Sequence, residues 1–344
     1  MDLISPKQRL LDALAGRPVD RPPVICPGGM MNAAVVEVMA GRKHALPAAH
    51  HKAELMSGLA ADVCRETGFE NFGLPFCLTV EAEALGSGID YGTLKCEPKI
   101  KAEPFASVDQ FEFMPKKAIE KNYRARAVVE SLGALRKSEP DVPAIGGLTG
   151  PLSAAASLVD PMAFLKELRK KKDVAHRVLD YVTGQLIDYA SALVEGGVDV
   201  ICIADPTATG EILGPKIFAE YAVVYLNRII DAIHAQNVPV IVHICGNVRA
   251  IRKELARLGG DALSVDSMVN LKALKYALPG LTTMGNLSTY ILEFGDEGKV
   301  IRASNGLLMQ NIDILAPACG LSTSTPLANI RAFTSAVREG LATA

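Results

Sequence analysis

Residues 198–247 read VDVICIADPTATGEILGPKIFAEYAVVYLNRIIDAIHAQNVPVIVHICGN. The stretch opens on an apolar, β-branched run at 198–204 that only Asp199 interrupts, and it closes on a second such run at 239–243. Runs of this kind suit strands buried on both faces of a parallel sheet. Between them, residues 215–235 repeat apolar side chains at helical spacing. A helix between two such strands is the crossover that parallel pairing requires, so the stretch is a β–α–β unit.

The same alternation extends in both directions. Further candidate strands lie at 22–26, 70–74, 142–147, 262–265, 282–285 and 312–316, and further helices at 6–15, 164–193 and 327–341. Eight strands of this type predict an α/β fold, a single (β/α)8 TIM barrel. No G-x-G-x-x-G opens a helix after a strand, which weakens an open dinucleotide-binding sheet. Residues 86–103, GSGIDYGTLKCEPKIKAE, break the rhythm and predict a small β-hairpin insertion at the rim. The helix at 6–15 precedes the first strand as an N-terminal helical extension. With no linker and no repeat, one domain is expected over 1–344.

Composition narrows the function. Hydrophobic residues make up 49% and charged residues 22% of the 344, enough apolar surface for a large core. Lys and Arg total 36 against 38 Asp and Glu, so the net charge is −2 and the basic excess of a nucleic-acid binder is missing. Aromatics are 5% with no Trp, which argues against base-stacking platforms and aromatic membrane belts. No uncharged apolar run reaches membrane-spanning length, so no membrane association is expected. Residues 1–11 lack the apolar centre of a signal peptide. The seven cysteines are an odd number, and reduced thiols in a cytoplasmic setting follow.

Reactive residues gather just after the candidate strands: Asp205, then His243, Cys245 and Asn247, then Asp266, Asn286 and Cys319. In a barrel these ends share one face, where active sites sit. His243 and Cys245 are two apart, so an extended backbone points both to one side. One imidazole and two thiolates form a donor set for Zn²⁺, softer than Mg²⁺, Ca²⁺ or Mn²⁺ prefer. Three protein ligands leave a fourth position open, the mark of a catalytic site. The remaining cysteines, Cys26, Cys64, Cys77, Cys96 and Cys202, read as core.

Other residues have two readings each. Asp266 accepts from His243 or caps a helix. Asp205 orients a ligand or the substrate, or simply forms the turn with Pro206. Asn247 and Asn286 donate to an anionic head group or shape their loops. Met30 and Met31 line the mouth or pack. The basic run 169–172 reads as a solvated helix face, and His50-His51 as a surface or helix-start pair.

Several segments together resemble a known family. GRPVDRPPV (16–24), LPFCLTVEAEALG (74–86), IGGLTGP (145–151), VDVICIADPTAT (198–209), HICGN (243–247), GNLS (285–288) and DILAPACG (313–320) are similar to the uroporphyrinogen decarboxylase-fold family. Within it they resemble the cobalamin-dependent zinc methyltransferase branch, which is methylcobamide:coenzyme M methyltransferase-like. That resemblance implies zinc on His243, Cys245 and Cys319. It implies a corrinoid protein as partner, carrying a methylated corrinoid (methylcobamide). It also implies a small-molecule methyl acceptor, a thiol such as coenzyme M, whose zinc-activated thiolate attacks the methyl group; tetrahydrofolate is the alternative acceptor. The branch carries a Glu close to zinc, which fills the fourth position until thiol arrives; the resemblance implies that role for Asp266, which is one methylene shorter. The decarboxylase branch has an Arg-rich segment where this chain has CPGGMMN at 26–32. Porphyrinogen carboxylates need cationic partners, so that activity is disfavoured. A non-catalytic corrinoid or tetrapyrrole binder is the remaining class, and the open three-donor set speaks against it.

Overall fold

The structure is a computed structural model that describes residues 4–340. Its strands in chain order are β1 (Phe72–Leu74), β2 (Gly88–Asp90), β3 (Lys99–Ala102), β4 (Ala144–Thr149), β5 (Val200–Ala204), β6 (Val240–Ile244), β7 (Ala262–Val265) and β8 (Thr282–Met284). Six of them form one parallel sheet in the order β1-β4-β5-β6-β7-β8.

Two shorter segments close it into a ring. Val24 and Leu315 form a parallel bridge, with Ile25 N donating to Leu315 O and Leu315 N to Pro23 O, both at 2.9 Å. Ile314 N donates to Thr283 O, tying that segment to β8. Glu70 N donates to Val24 O, and the Asn71 side chain brackets Cys26, accepting from its N–H and donating to its carbonyl. These are the strands expected at 22–26 and 312–316. They are short because Pro22, Pro23 and Pro317 bring no N–H to a ladder. The fold is therefore the expected (β/α)8 barrel.

Strand parity decides what lies inside. Ile145, Val200, Cys202, Ile241, Ala262, Met284 and Ile314 pack in one buried cluster with Leu10, Ala13 and Leu14 of the helix Pro6–Leu14. That helix plugs the barrel. Ser5 starts it by accepting from Gln8 N, and Pro6 takes the first turn, where no N–H is needed. The alternate residues of β6, Val240, Val242 and Ile244, belong to the larger core between sheet and outer helices.

β2 and β3 pair antiparallel, which places the expected hairpin at 88–102. Helix bounds needed correction. The run at 164–193 is two helices, Pro161–Lys170 and Lys172–Glu195, with Lys171 non-helical between them. The run at 215–235 begins earlier, at Gly210–Ile217, where Gly214 takes a left-handed φ of 65° before Pro215, and ends as Val223–His234. The last helix is Leu327–Glu339, and residue 341 lies outside the described residues. Among the described residues no helix is long and apolar enough to cross a membrane.

Candidate metal centre

His243 shares its parity with Ile241, so its ring points into the barrel, and it is fully buried. Its Nδ1 lies 2.9 Å from Ser264 Oγ on the neighbouring strand β7. With Nδ1 so engaged, Nε2 is left to face the mouth, 2.9 Å from Cys245 Sγ. Cys245, two residues further on, stands on the same side at the end of β6, half-buried. Cys319 arrives from the loop after the closing segment and brings its Sγ to 3.5 Å from that of Cys245. The three donor atoms lie within 4.8 Å of one another, and among the described residues no other metal-holding group of three forms.

The donor set fits zinc. Two sulfurs at tetrahedral positions on zinc stand about 3.8 Å apart, and nitrogen and sulfur about 3.6 Å, from the usual bond lengths. The observed separations require shifts of under about 1 Å. Electrostatics point the same way. The hydrogen bond between the thiols pulls the Cys319 pKa down and pushes that of Cys245 up, with burial adding to the rise at Cys245. A cation placed between the two sulfurs favours both as thiolates.

The other expected site residues fall in different places. Asp266 is outside the donor cluster; its Oδ1 accepts from the Met268 amide at 3.1 Å and the Ser267 hydroxyl at 3.2 Å, within its own turn. Asp205 is fully buried, and its carboxylate accepts from the amides of Leu152 and Ser153 and from Ser153 Oγ. Burial pushes its carboxyl pKa up. Asn286 donates to the carbonyls of Asp266 and Val269, both at 2.8 Å, and so shapes the loop after β7. Asn247 is exposed and accepts from Arg249 N. Met31 is buried in the barrel interior, while Met30 lines a cavity at the mouth.

Some readings needed revision. Cys96 is exposed rather than core, because it sits in the hairpin turn, where its backbone bridges to Thr93. Cys64 is half-buried, and Cys77 is buried but hydrogen-bonded, with Arg124 Nη2 donating to its sulfur at 3.1 Å. Cys26 and Cys202 are buried as expected. His50 is buried, not at the surface, beside the equally buried Arg124, which donates to its carbonyl. In the basic run, Arg169 and Lys170 are exposed, while Lys171 pairs with Asp109 and Glu167.

Sequence reading missed Ser264, and with it the partner that orients His243. Parity could have found it: Ser264 is the polar residue between inward-facing Ala262 and the strand end, opposite His243 in register. It also missed Glu97, whose carboxylate accepts from Asn32 Nδ2 at 3.4 Å above the mouth. That contact joins residues far apart in sequence, and no local pattern announces it.

The model of the uroporphyrinogen decarboxylase (URO-D) family matches residues 5–340. The chain is 36% identical to the methylcobamide:CoM methyltransferase MtaA of Methanosarcina barkeri over 337 residues, covering 97% of each. It is 32% identical to the methylcobamide:CoM methyltransferase MtbA of Methanosarcina acetivorans, covering 95% of this chain and 96% of that one. A solved methyltransferase from Methanosarcina mazei superposes with a TM-score of 0.91 at 34% identity, covering 98% of this chain and 99% of the other. The chain belongs to the uroporphyrinogen decarboxylase family, in the branch it shares with the methylcobamide:CoM methyltransferases.

Proposed function

We propose that the protein transfers a methyl group from a methylated corrinoid, carried by a partner corrinoid protein, to a thiol acceptor such as coenzyme M. One observation carries the reading: a His, Cys, Cys donor set gathered within 4.8 Å at the barrel mouth. The relatives' names, which pair methylcobamide with CoM, support the donor and acceptor classes.

His243, Cys245 and Cys319 hold a zinc ion. Zinc bound there supplies Lewis acidity that lowers a thiol's pKa. Ser264 fixes the His243 ring so that Nε2 presents its lone pair. The apolar barrel below, with Met31, Ile241 and Met284, keeps water from approaching from beneath. Gly320 lets the loop behind Cys319 pass close to the Met30 carbonyl, since a Cβ there would stand 2.6 Å from that oxygen. Asp266 and Asp205 act as positioning residues, each fixing a rim loop. The sulfur attacks the methyl carbon in line as the cobalt–carbon bond breaks. Cobalt keeps the electron pair, so no side chain need protonate the leaving group. Much of the rate comes from holding sulfur and carbon in that orientation.

The test is metal content together with methyl transfer from free methylcobalamin to a panel of acceptors, tetrahydrofolate included. One zinc per chain and S-methylation are expected. Cys245→Ala and Cys319→Ala each remove one of three ligands and should strip most of the zinc. Cys202→Ala, inside the barrel wall, should keep it. Undiminished zinc in both ligand variants overturns the assignment. Methylated tetrahydrofolate, or a bound pigment without transfer, redirects the function.

A further inference from the structure

A groove runs between the helix Pro161–Lys170 and the helix Gly210–Ile217 that follows β5. Two adjoining cavities, of about 290 and 450 Å³, share Arg169, Leu213 and Ile217 and make up its length. The floor is apolar: Leu168, Leu213 and Ile217 are buried, and Leu165 is half-buried. Ile212 and Met162 stand open at its edge, Met162 with 77% of its surface exposed. The exposed cations Lys166, Arg169, Lys170, Lys172 and Lys216 form the rim, and among the described residues no carboxylate lines either cavity. Of these cations only Lys172 has an ion-pair partner among the described residues, Glu220 at 2.7 Å. The chain as a whole carries a net charge of −2, so this one-signed face departs from the rest of the molecule.

That pattern selects an occupant. An apolar floor between cationic walls suits an amphipathic segment whose polar face is acidic. From Met162 to Lys170 the first helix rises about 12 Å, enough to seat two turns of a docked helix. Single-stranded nucleic acid would find no aromatic side chain in either cavity to stack on. A flat lipid surface would touch the rim and leave the floor empty. The groove is also continuous with the barrel mouth. Pro161 and Thr207 line the mouth cavity; Met162 follows the first directly, and Ile212 the second by five residues. A protein that covers the mouth to deliver a methyl group therefore overhangs this flank.

We propose that this groove docks the protein that carries the methylated corrinoid, through an acidic amphipathic helix laid between the two helices. The proposal rests on the methyltransferase reading above and names where the partner of that site binds. The cations stay exposed in the free chain, as steering charges must be, and lose water only when the partner seats. Free methylcobalamin enters at the mouth and makes no contact with the groove, so the two donors separate docking from chemistry.

The test compares two methyl donors on the zinc-loaded protein: free methylcobalamin, and the methylated corrinoid protein of the source organism, purified by its cobalt content. Lys166→Glu combined with Arg169→Glu should raise KM for the protein donor by about tenfold or more, and leave kcat/KM for free methylcobalamin within about twofold of wild type. Met162→Asp, which puts an acid on the apolar edge, should raise the same KM and spare the free donor. Raising salt from about 50 to about 300 mM should weaken the protein donor in the wild type and much less in the double variant. Lys137→Glu alters an exposed cation near the start of β4, at the closed end of the barrel; it controls for net charge and should change neither donor. An unmoved KM for the protein donor, an equal loss with free methylcobalamin, or an equal effect per charge at Lys137 overturns the proposal and leaves the methyltransferase reading standing. Binding of the wild type to phosphatidylglycerol vesicles, lost in the double variant while the protein donor is unaffected, would assign the groove to a lipid surface and overturn it as well. If free methylcobalamin methylates no thiol, the methyltransferase reading falls first and the docking proposal with it.

Discussion

Ser264 Oγ stands 2.9 Å from His243 Nδ1, one strand across in register, with both side chains inside the barrel. A serine hydroxyl that accepts from Nδ1–H leaves Nε2 unprotonated, the form a metal needs. Ser264→Ala removes that partner and leaves Nδ1 buried and unpaired. Zinc affinity should fall about 10- to 100-fold, as for other partners of metal-bound histidines. Competition with a chromophoric chelator measures it. An unchanged affinity would show that packing alone sets the ring.

Asp205 predicts a separation between structure and metal. Its carboxylate closes the start of the helix Pro151–Ala156 onto the loop after β5, through Leu152 N, Ser153 N and Ser153 Oγ. Asp205→Asn keeps the shape but swaps one acceptor oxygen for a donor that faces an N–H. Stability should drop by about 1–3 kcal/mol, with zinc content unchanged. The Gly150→Ala variant should disturb the same contact by another route, because its Cβ would collide with the Asp205 side chain. Denaturant melts with parallel zinc analysis check both. Zinc loss in well-folded Asp205→Asn would instead place this carboxylate in the metal site's support.

The plug helix yields a packing prediction. Leu10 is fully buried among Ile25, Ile145 and Val200 at the closed end of the barrel. Leu10→Ala opens a cavity there and should cost about 2–5 kcal/mol. Since the metal donors lie at the other end, zinc stoichiometry at a temperature well below the melt should not change. A Tm shift of under a degree would mean that the helix does not seal the barrel as described.

Most of the barrel strands were legible because they are apolar or β-branched runs bounded by polar residues, the composition that burial on two faces favours. His243, Cys245 and Cys319 were legible for a related reason: donors placed at strand ends stand out against apolar strands. Helix ends were less so. Lys171 interrupts a run whose apolar spacing continues across it, and Gly214 with Pro215 sits inside a segment that helical periodicity alone cannot divide. What the sequence could not show was which polar groups are already spent. Asn286 and Asp205 look free on paper, and only their partners, the carbonyls of Asp266 and Val269 and the amides of Leu152 and Ser153, reveal them as loop fasteners. The roof over the mouth escaped for the same reason, since Glu97 meets Asn32 only through the hairpin's fold.

Acid stability offers the last prediction. Arg9 of the plug helix is fully buried and donates to both oxygens of Asp20, at 2.7 and 2.8 Å, and to Glu70 at 3.1 Å. The Arg9 hydrogen bonds hold the Asp20 carboxyl below its ordinary value, against a smaller opposing effect of burial. In the unfolded chain the same carboxyl titrates near 3.9. A carboxylate whose pKa is depressed by folding contributes stability above the unfolded value, and that contribution disappears as pH falls through the folded one. Asp20→Asn should therefore cost about 1–3 kcal/mol near neutral pH, where Arg9 loses a charged partner. The gap between wild type and variant should hold constant from about pH 7 to about pH 5, then shrink below about pH 4 as the wild-type carboxylate protonates. Urea melts of both proteins across that range measure the gap directly. A gap that stays constant down to about pH 2 would mean that the variant's cost is steric and that the Arg9–Asp20 pair adds no charge-dependent stability.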